Sequence, residues 1–300
     1  MISGILNIKK EPGFTSHDVV AKLRGIVHQK KIGHTGTLDP DATGVLPVCL
    51  GKATKLCDII GDWDKTYEAV LLLGRETDTE DTSGQTLKER EVAVTEEEIR
   101  DIILSFQGSY DQIPPMYSAL KVNGKKLYEL AREGKVVERK ARPVKILDIR
   151  IIEMDLPRVR MEVSCSKGTY IRTLCHDIGE QLGCGGCMES LIRTRVSAFQ
   201  IKDAKTLEEI GALKQEGMLE EILVPIDEMF PLYPKITVKD DWKAFAKNGN
   251  PLDEKMLKDA DSQEEDRQVR LYEESGKFIA IYQWKEKEKK YHIVKMFFNE

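Results

Sequence analysis

The sequence predicts an α+β fold: a mixed, mainly antiparallel central sheet with flanking helices, followed by a small β-rich unit. Three observations carry this. Short apolar runs closed by glycines, Val45–Leu50 and Val70–Leu73, read as buried strands rather than helices. Pro143–Met154 and Val159–Cys165 are long strand-like runs a few residues apart, and the second alternates well enough to leave one face wet. Beyond Pro231-Leu-Tyr-Pro234, a linker, short strand signals follow at Val269–Tyr272, Phe278–Trp284 and Tyr291–Phe298, with Ser275-Gly276 as a hairpin turn. A chain of 300 residues holds two proper cores. They are expected in residues 1–230, with an insertion near 107–145, and in residues 235–300.

Within the first unit each element has its own signal. Ile5–Ile8 is an apolar strand. Thr15 and Asp18 have the spacing of a helix cap, and Val19, Val20, Leu23, Ile26 and Val27 then follow helical spacing that buries one face. Thr77–Gly84 is dense in Thr and Asp and reads as structural; as a calcium loop it fails because Ser83 stands where the turn glycine belongs. Thr95 and Glu98 form a capping box before Ile99, Ile102, Ile103 and Phe106. Pro114-Pro115 breaks the chain, Asn123-Gly124 marks a tight hairpin, and a helical pattern resumes from Lys125 to Arg132. Lys167-Gly168-Thr169 turns into a helix with Ile171, Leu174, Ile178 and Leu182 on one face. Tyr170 and Arg172 fall at its first turn, off the apolar stripe, where the helix dipole opposes a cation. Leu207–Gln215 is a further helix, a short one lies near Asp241–Lys247, and Lys285–Lys290 reads as an exposed turn.

Composition removes several classes. With 32% charged and 41% hydrophobic residues the chain is an ordinary soluble globule, and no apolar run approaches the ~18 residues of a membrane span. The start lacks an apolar region long enough for a secretory signal, so the six cysteines are expected as reduced thiols in the cytoplasm. Cys184-Gly-Gly-Cys187, with Cys175-His176 upstream, fits no standard zinc spacing, and neither metal nor cofactor is expected. A net charge of −5 argues against indiscriminate nucleic-acid coating, but the balance is uneven. Lys121–Lys145 holds nine Lys/Arg against three Glu, whereas residues 251–266 hold two Lys against seven acids. Such a basic stretch is either a face for a phosphate backbone or a solvated helix face of mixed charge.

The stretch Gly33–Lys55, GHTGTLDPDATGVLPVCLGKATK, is the candidate site. Its glycines and prolines suit a shaped loop, and Pro40 pushes Asp39 out of helical torsions onto a stiffened backbone. The strand that follows anchors the loop to the core, which suits a positioned reactive group; the plainer alternative is a tight turn in which Asp39 or Asp41 caps its own backbone. Two other motifs fail here. Leu46 stands where a phosphate-binding loop needs its first glycine, and Leu50 where a calcium loop needs its Glu. Taken alone, Tyr67 reads as a half-buried strand aromatic, His34 as a loop histidine, Leu191 as core and Arg172 as a surface residue.

This stretch resembles the motif of the TruB-type tRNA pseudouridine synthases: a glycine-flanked His34, Leu38-Asp39-Pro40, Ala42-Thr43-Gly44 and a strand ending in Gly51-Lys-Ala-Thr-Lys55. The likeness extends to Lys10-Glu-Pro-Gly13-Phe-Thr15-Ser16, Lys65-Thr-Tyr67, the Thr77–Gly84 loop, Gly168-Thr-Tyr-Ile-Arg172-Thr and the segment around Leu191, covering about Lys9 to Val196. It implies a pseudouridine synthase fold with a weaker, PUA-like RNA-binding unit at 235–300. It implies isomerisation of uridine 55 in the tRNA T loop, with Asp39 as catalytic aspartate, Arg172 pairing with it through a planar two-nitrogen fork, and Tyr67 stacking on the flipped uracil. His34, Tyr170, Leu191 and Lys10 are expected on the substrate, and Lys125, Lys126 and Arg132 on the T arm. The basic insertion further implies an enzyme that finds tRNA without a guide RNA; a monomer with no membrane association is expected. Two rival classes remain. A non-catalytic RNA-binding module would not need Asp39 with Arg172, and a glycosidase would need a second acid beyond the exposed Asp41.

Overall fold

The computed structural model describes residues 1–122, 124–259 and 264–298. The strands are β1 (Gly4–Lys10), β2 (Thr43–Leu50), β3 (Lys65–Leu73), β4 (Gly108–Gln112), β5 (Arg142–Asp155), β6 (Arg158–Cys165) and β7 (Gly186–Val196) in the first unit. In the second they are β8 (Lys235–Thr237), β9 (Gln268–Tyr272), β10 (Phe278–Lys285) and β11 (Lys290–Met296). The longer helices are α1 (Ser16–Val27), α2 (Glu96–Ser105), α3 (Ile171–Gln181) and α4 (Leu207–Gln215).

The strands of the first unit form one sheet in the order β1-β2-β7-β3-β6-β5-β4, with the short strand Ile32–His34 also paired to β2. Among the described strands of this sheet every pairing is antiparallel except β2 with β7, where Ile192 lies opposite Thr43 and Arg193 opposite Gly44. The alternation in β3 and β6 sorts their side chains. Ala69, Leu71, Leu73, Val159, Met161 and Val163 point into a core closed by α2 and α3. Glu68, Arg160 and Glu162 lie on the other, wet face, where Arg160 pairs with Glu68 and Glu153. At the opposite end of the sheet, Leu6, Ile8, Leu46, Val48 and Leu50 pack on α1 and α4.

Three helices begin on the expected kind of signal. Thr15 and Asp18, Thr95 and Glu98, and Thr206 and Glu209 each form a reciprocal capping box, satisfying backbone donors that a helix start leaves open. The helical pattern expected from Lys125 begins later, at Leu127, because Lys125–Lys126 pair as a strand with Lys121–Val122 around Gly124; Asn123 of that turn lies outside the described residues. This insertion has a small core of its own around Met116, Leu127 and Leu130.

The second unit is a sheet in the order β8-β9-β10-β11 over Ile236, Tyr282, Trp284 and Tyr291. Part of the acidic stretch 251–266 contributes structure: Leu252 exchanges backbone hydrogen bonds with Tyr291, and Lys258 N donates to Thr237 O, so residues 252–258 bridge the two edge strands. Positions 260–263 of that stretch lie outside the described residues. The two units share apolar contacts, since Ile281 and Phe297 cluster with Ile5, Val45 and Cys49. No described helix is long and apolar enough to cross a membrane.

Candidate active site

Asp39 sits on the irregular segment between Ile32–His34 and β2. The segment is tied to α1 through Ser16, whose hydroxyl accepts from Leu38 N at 3.0 Å, and to the main core by Leu38 itself, which packs in one cluster with Ala42, Tyr67 and Leu191. Next to the buried leucine, the Asp39 side chain remains 43% exposed. A carboxylate is therefore presented to solvent beside an apolar floor.

Arg172 meets it from the first turn of α3, with Nε 3.1 Å from Asp39 Oδ2. The arginine is buried, contrary to its plain reading as a surface residue, and the expected two-nitrogen fork on Asp39 is not formed. Nη1 donates to Thr79 O and Nη2 to Tyr117 O, both at 2.9 Å, and Nη1 also lies 3.6 Å from Asp81 Oδ2. Main-chain carbonyls thus set the guanidinium plane and leave one edge for Asp39. The 77–84 loop, read as structural, supplies part of that setting: Asp81 Oδ1 accepts from Thr79 Oγ1 at 2.7 Å and from Ser83 N at 3.0 Å, holding the loop in shape. Thr79, Asp81 and Tyr117 had no signal of their own, because two of the three contacts use the main chain.

Lys10 requires a correction. Expected on the substrate, it is fully buried, and its ammonium donates to Ala42 O at 2.6 Å, Pro40 O at 2.8 Å and Glu11 O at 3.1 Å. All three donors are used by backbone, so it shapes the Asp39 segment rather than meeting phosphate. Burial lowers its pKa to about 8, against the pull of the Asp41 and Asp39 charges.

Tyr67 lies on β3 with 7% exposure, and burial pushes its hydroxyl pKa up. His34 packs edge-on against His17 with ring centroids 5.1 Å apart, and burial moves its pKa below the usual imidazole value. Tyr170 caps the N-terminus of α3. Gln112 grips its backbone from both sides, accepting from Tyr170 N at 2.8 Å and donating to Tyr170 O at 3.0 Å. On α3 itself, Thr173 donates to the carboxylate of Glu80, whose pKa burial raises.

Lys125, Lys126 and Arg132 are placed differently, on the insertion. Lys125 Nζ is 3.5 Å from Glu133, Lys126 Nζ donates to Tyr128 Oη at 3.2 Å, and Lys126 and Arg132 lie 5.3 and 5.4 Å from the Tyr128 ring. The insertion meets Arg172 through the Tyr117 carbonyl. All six cysteines are free thiols.

An open sheet with an aspartate at its mouth, a buried arginine beside it and an apolar floor defines a carboxylate-centred enzyme site. Comparison with known proteins specifies it. Residues 24–171 match TruB family pseudouridylate synthase (N terminal domain), and residues 172–231 match tRNA pseudouridylate synthase B C-terminal domain. The division between the two matches falls within α3, so it is not a structural boundary. The chain is 53% identical to the tRNA pseudouridine synthase B of Lachnoclostridium phytofermentans, covering 99% of this chain and 100% of that one. It is 49% identical to the protein of the same name from Alkaliphilus oremlandii, covering 95% and 91%. Among solved structures it superposes on a chain from an H/ACA RNP bound to a substrate RNA containing 2'-deoxyuridine with a TM-score of 0.72 at 26% identity, covering 99% and 85%. A chain from a Cbf5-Nop10-Gar1 complex gives 0.72 at 28% identity, covering 98% and 85%. The chain belongs to the TruB family of pseudouridylate synthases.

Proposed function

We propose that this enzyme isomerises uridine 55 in the T loop of tRNA to pseudouridine, acting as a monomer in the cytoplasm without a guide RNA. The observation that carries the reading is the half-exposed Asp39 carboxylate 3.1 Å from the buried Arg172, at the edge of the floor made by Leu38, Tyr67 and Leu191. The reaction breaks the N1–C1′ bond, turns the uracil and joins C5 to C1′; the C5 proton leaves and N1 gains one, so nothing is consumed. Asp39 either attacks C1′ or takes a sugar proton to give a glycal. Arg172 aims the carboxylate. Tyr67 and Leu191 receive the flipped base, whose unstacking costs a few kcal/mol, and His34 and Tyr170 line the entry. Lys125, Lys126 and Arg132 grip the T-arm backbone, and residues 235–300 form a PUA-like unit that adds RNA contacts. The names of the curated relatives support tRNA as substrate.

The test is tritium release from tRNA carrying C5-labelled uridine. One equivalent released per tRNA, with the strand intact, is expected. No release, or release only with strand cleavage, refutes the reading.

A further inference from the structure

Arg193 has no part in the reading above, yet it lies beneath the whole Asp39 segment. It sits on β7, 1% exposed, opposite Tyr67 of β3 and Gly44 of β2. Among the described residues it makes no ion pair with a carboxylate. Its donors go mainly to backbone, Nε to Val45 O at 2.7 Å, Nη1 to Thr37 O at 3.4 Å and Nη2 to Gly36 O at 3.4 Å, and its side chain also interacts with the Tyr67 hydroxyl. These carbonyls lie on both sides of Asp39 in sequence. Lys10 takes Pro40 O and Ala42 O between them. The paired strands also lie close here: Gly44 has φ +105°, and a Cβ there would stand 2.2 Å from the main-chain O of Arg193.

A guanidinium enclosed without a counter-ion is costly unless carbonyl dipoles solvate it, so the segment is held in the one shape that turns its carbonyls toward the cation. Apolar packing of Leu38 alone would fix the segment's depth but not the direction of its peptide planes. A shift of about 1 Å in a reacting group costs on the order of 100-fold in rate, which makes that direction matter.

We propose that Arg193 is a positioning residue for the reaction: with Lys10 it clamps the peptide planes on either side of Asp39, so that the carboxylate is aimed before RNA arrives. This rests on the uridine-isomerising reading. The test combines single-turnover tritium release per folded molecule at saturating tRNA, the tRNA Kd, and amide hydrogen exchange over residues 36–45, in Arg193→Gln and Arg193→Lys. In Arg193→Gln the rate should fall about 100-fold with Kd within threefold, and exchange at 36–45 should rise at least tenfold while β3 and β6 stay protected. Arg193→Lys keeps the cation but not the fork and should recover about tenfold of the rate. It also decides the matter if the Gln variant does not fold. Wild-type rate per folded molecule, a loss confined to Kd, or wild-type exchange at 36–45 in Arg193→Lys overturns the clamp. Wild-type protein that releases no tritium would refute the uridine reading alone, because exchange reads the clamp without turnover.

Discussion

The Asp39 segment and the basic insertion use the same kind of side chain in opposite ways. Around Asp39 the cations Lys10, Arg172 and Arg193 are at most 6% exposed, and their donors go mainly to main-chain carbonyls. On the insertion, Lys125 is 59% exposed, and Lys125, Lys126 and Arg132 touch little beyond Glu133 and Tyr128. A buried cation must be solvated by the protein and so becomes an organiser of backbone; an exposed one keeps its charge for a mobile partner. The comparison separates shaping from gripping, and each variant below tests one side of it.

The largest effect is expected at the group being shaped. Asp39→Asn removes, at nearly constant volume, the carboxylate proposed to react, so single-turnover conversion should fall to below about a hundredth of wild type while tRNA affinity stays within a few-fold. Conversion above that level would take the reacting role away from Asp39. Less severe is loss of the grip. Neutralising Lys125, Lys126 and Arg132 together should weaken tRNA binding and flatten its salt dependence by roughly one unit of slope per lost phosphate contact, with the rate at saturation unchanged. Binding measured over a salt series decides it, and an unchanged slope would remove the insertion from the interface.

The smallest effect is in pH. Lys10 has a folded-state pKa of about 8, below the ordinary 10.5, because its ammonium is buried. Between those values the unfolded chain holds the proton and the folded chain does not, so this group's contribution to stability rises with pH. Activity should move the other way, since deprotonation above about 8 removes a donor from the Pro40 and Ala42 carbonyls. Single-turnover rates and melting temperatures measured together from pH 7 to about 9.5 should therefore diverge, and Lys10→Met should lose the alkaline limb. A wild-type rate that stays level across the range would show that the clamp does not need the charge on Lys10.

Legibility followed the same division. Elements announced by local rules were readable: the capping boxes at Thr15 and Thr95, the glycine-closed strand Val45–Leu50 and the helix Leu207–Gln215 all lie where the spacing puts them. The central strand β7 was not. Glu189, Ser190, Arg193 and Arg195 interrupt its apolar pattern, and two register shifts against β3 move its side chains between faces. Strand β8, three residues long, offered too little to read. In the site, Asp39 stood out because Pro40 and the surrounding glycines constrain it, whereas its relation to Arg172, 133 positions away, came only through resemblance to a family.

By itself the sequence determined the fold class, the helix starts, the loop that presents Asp39 and the family, because each is written in spacing of a few residues or in a long ungapped motif. Tertiary structure alone decided which cations are enclosed by backbone and which stay in water. Lys10 and Lys125 carry the same ammonium, and only the fold encloses one among the Pro40 and Ala42 carbonyls and leaves the other in water. The difference is one of solvation, and solvation depends on what the rest of the chain brings near, which spacing along the sequence does not encode.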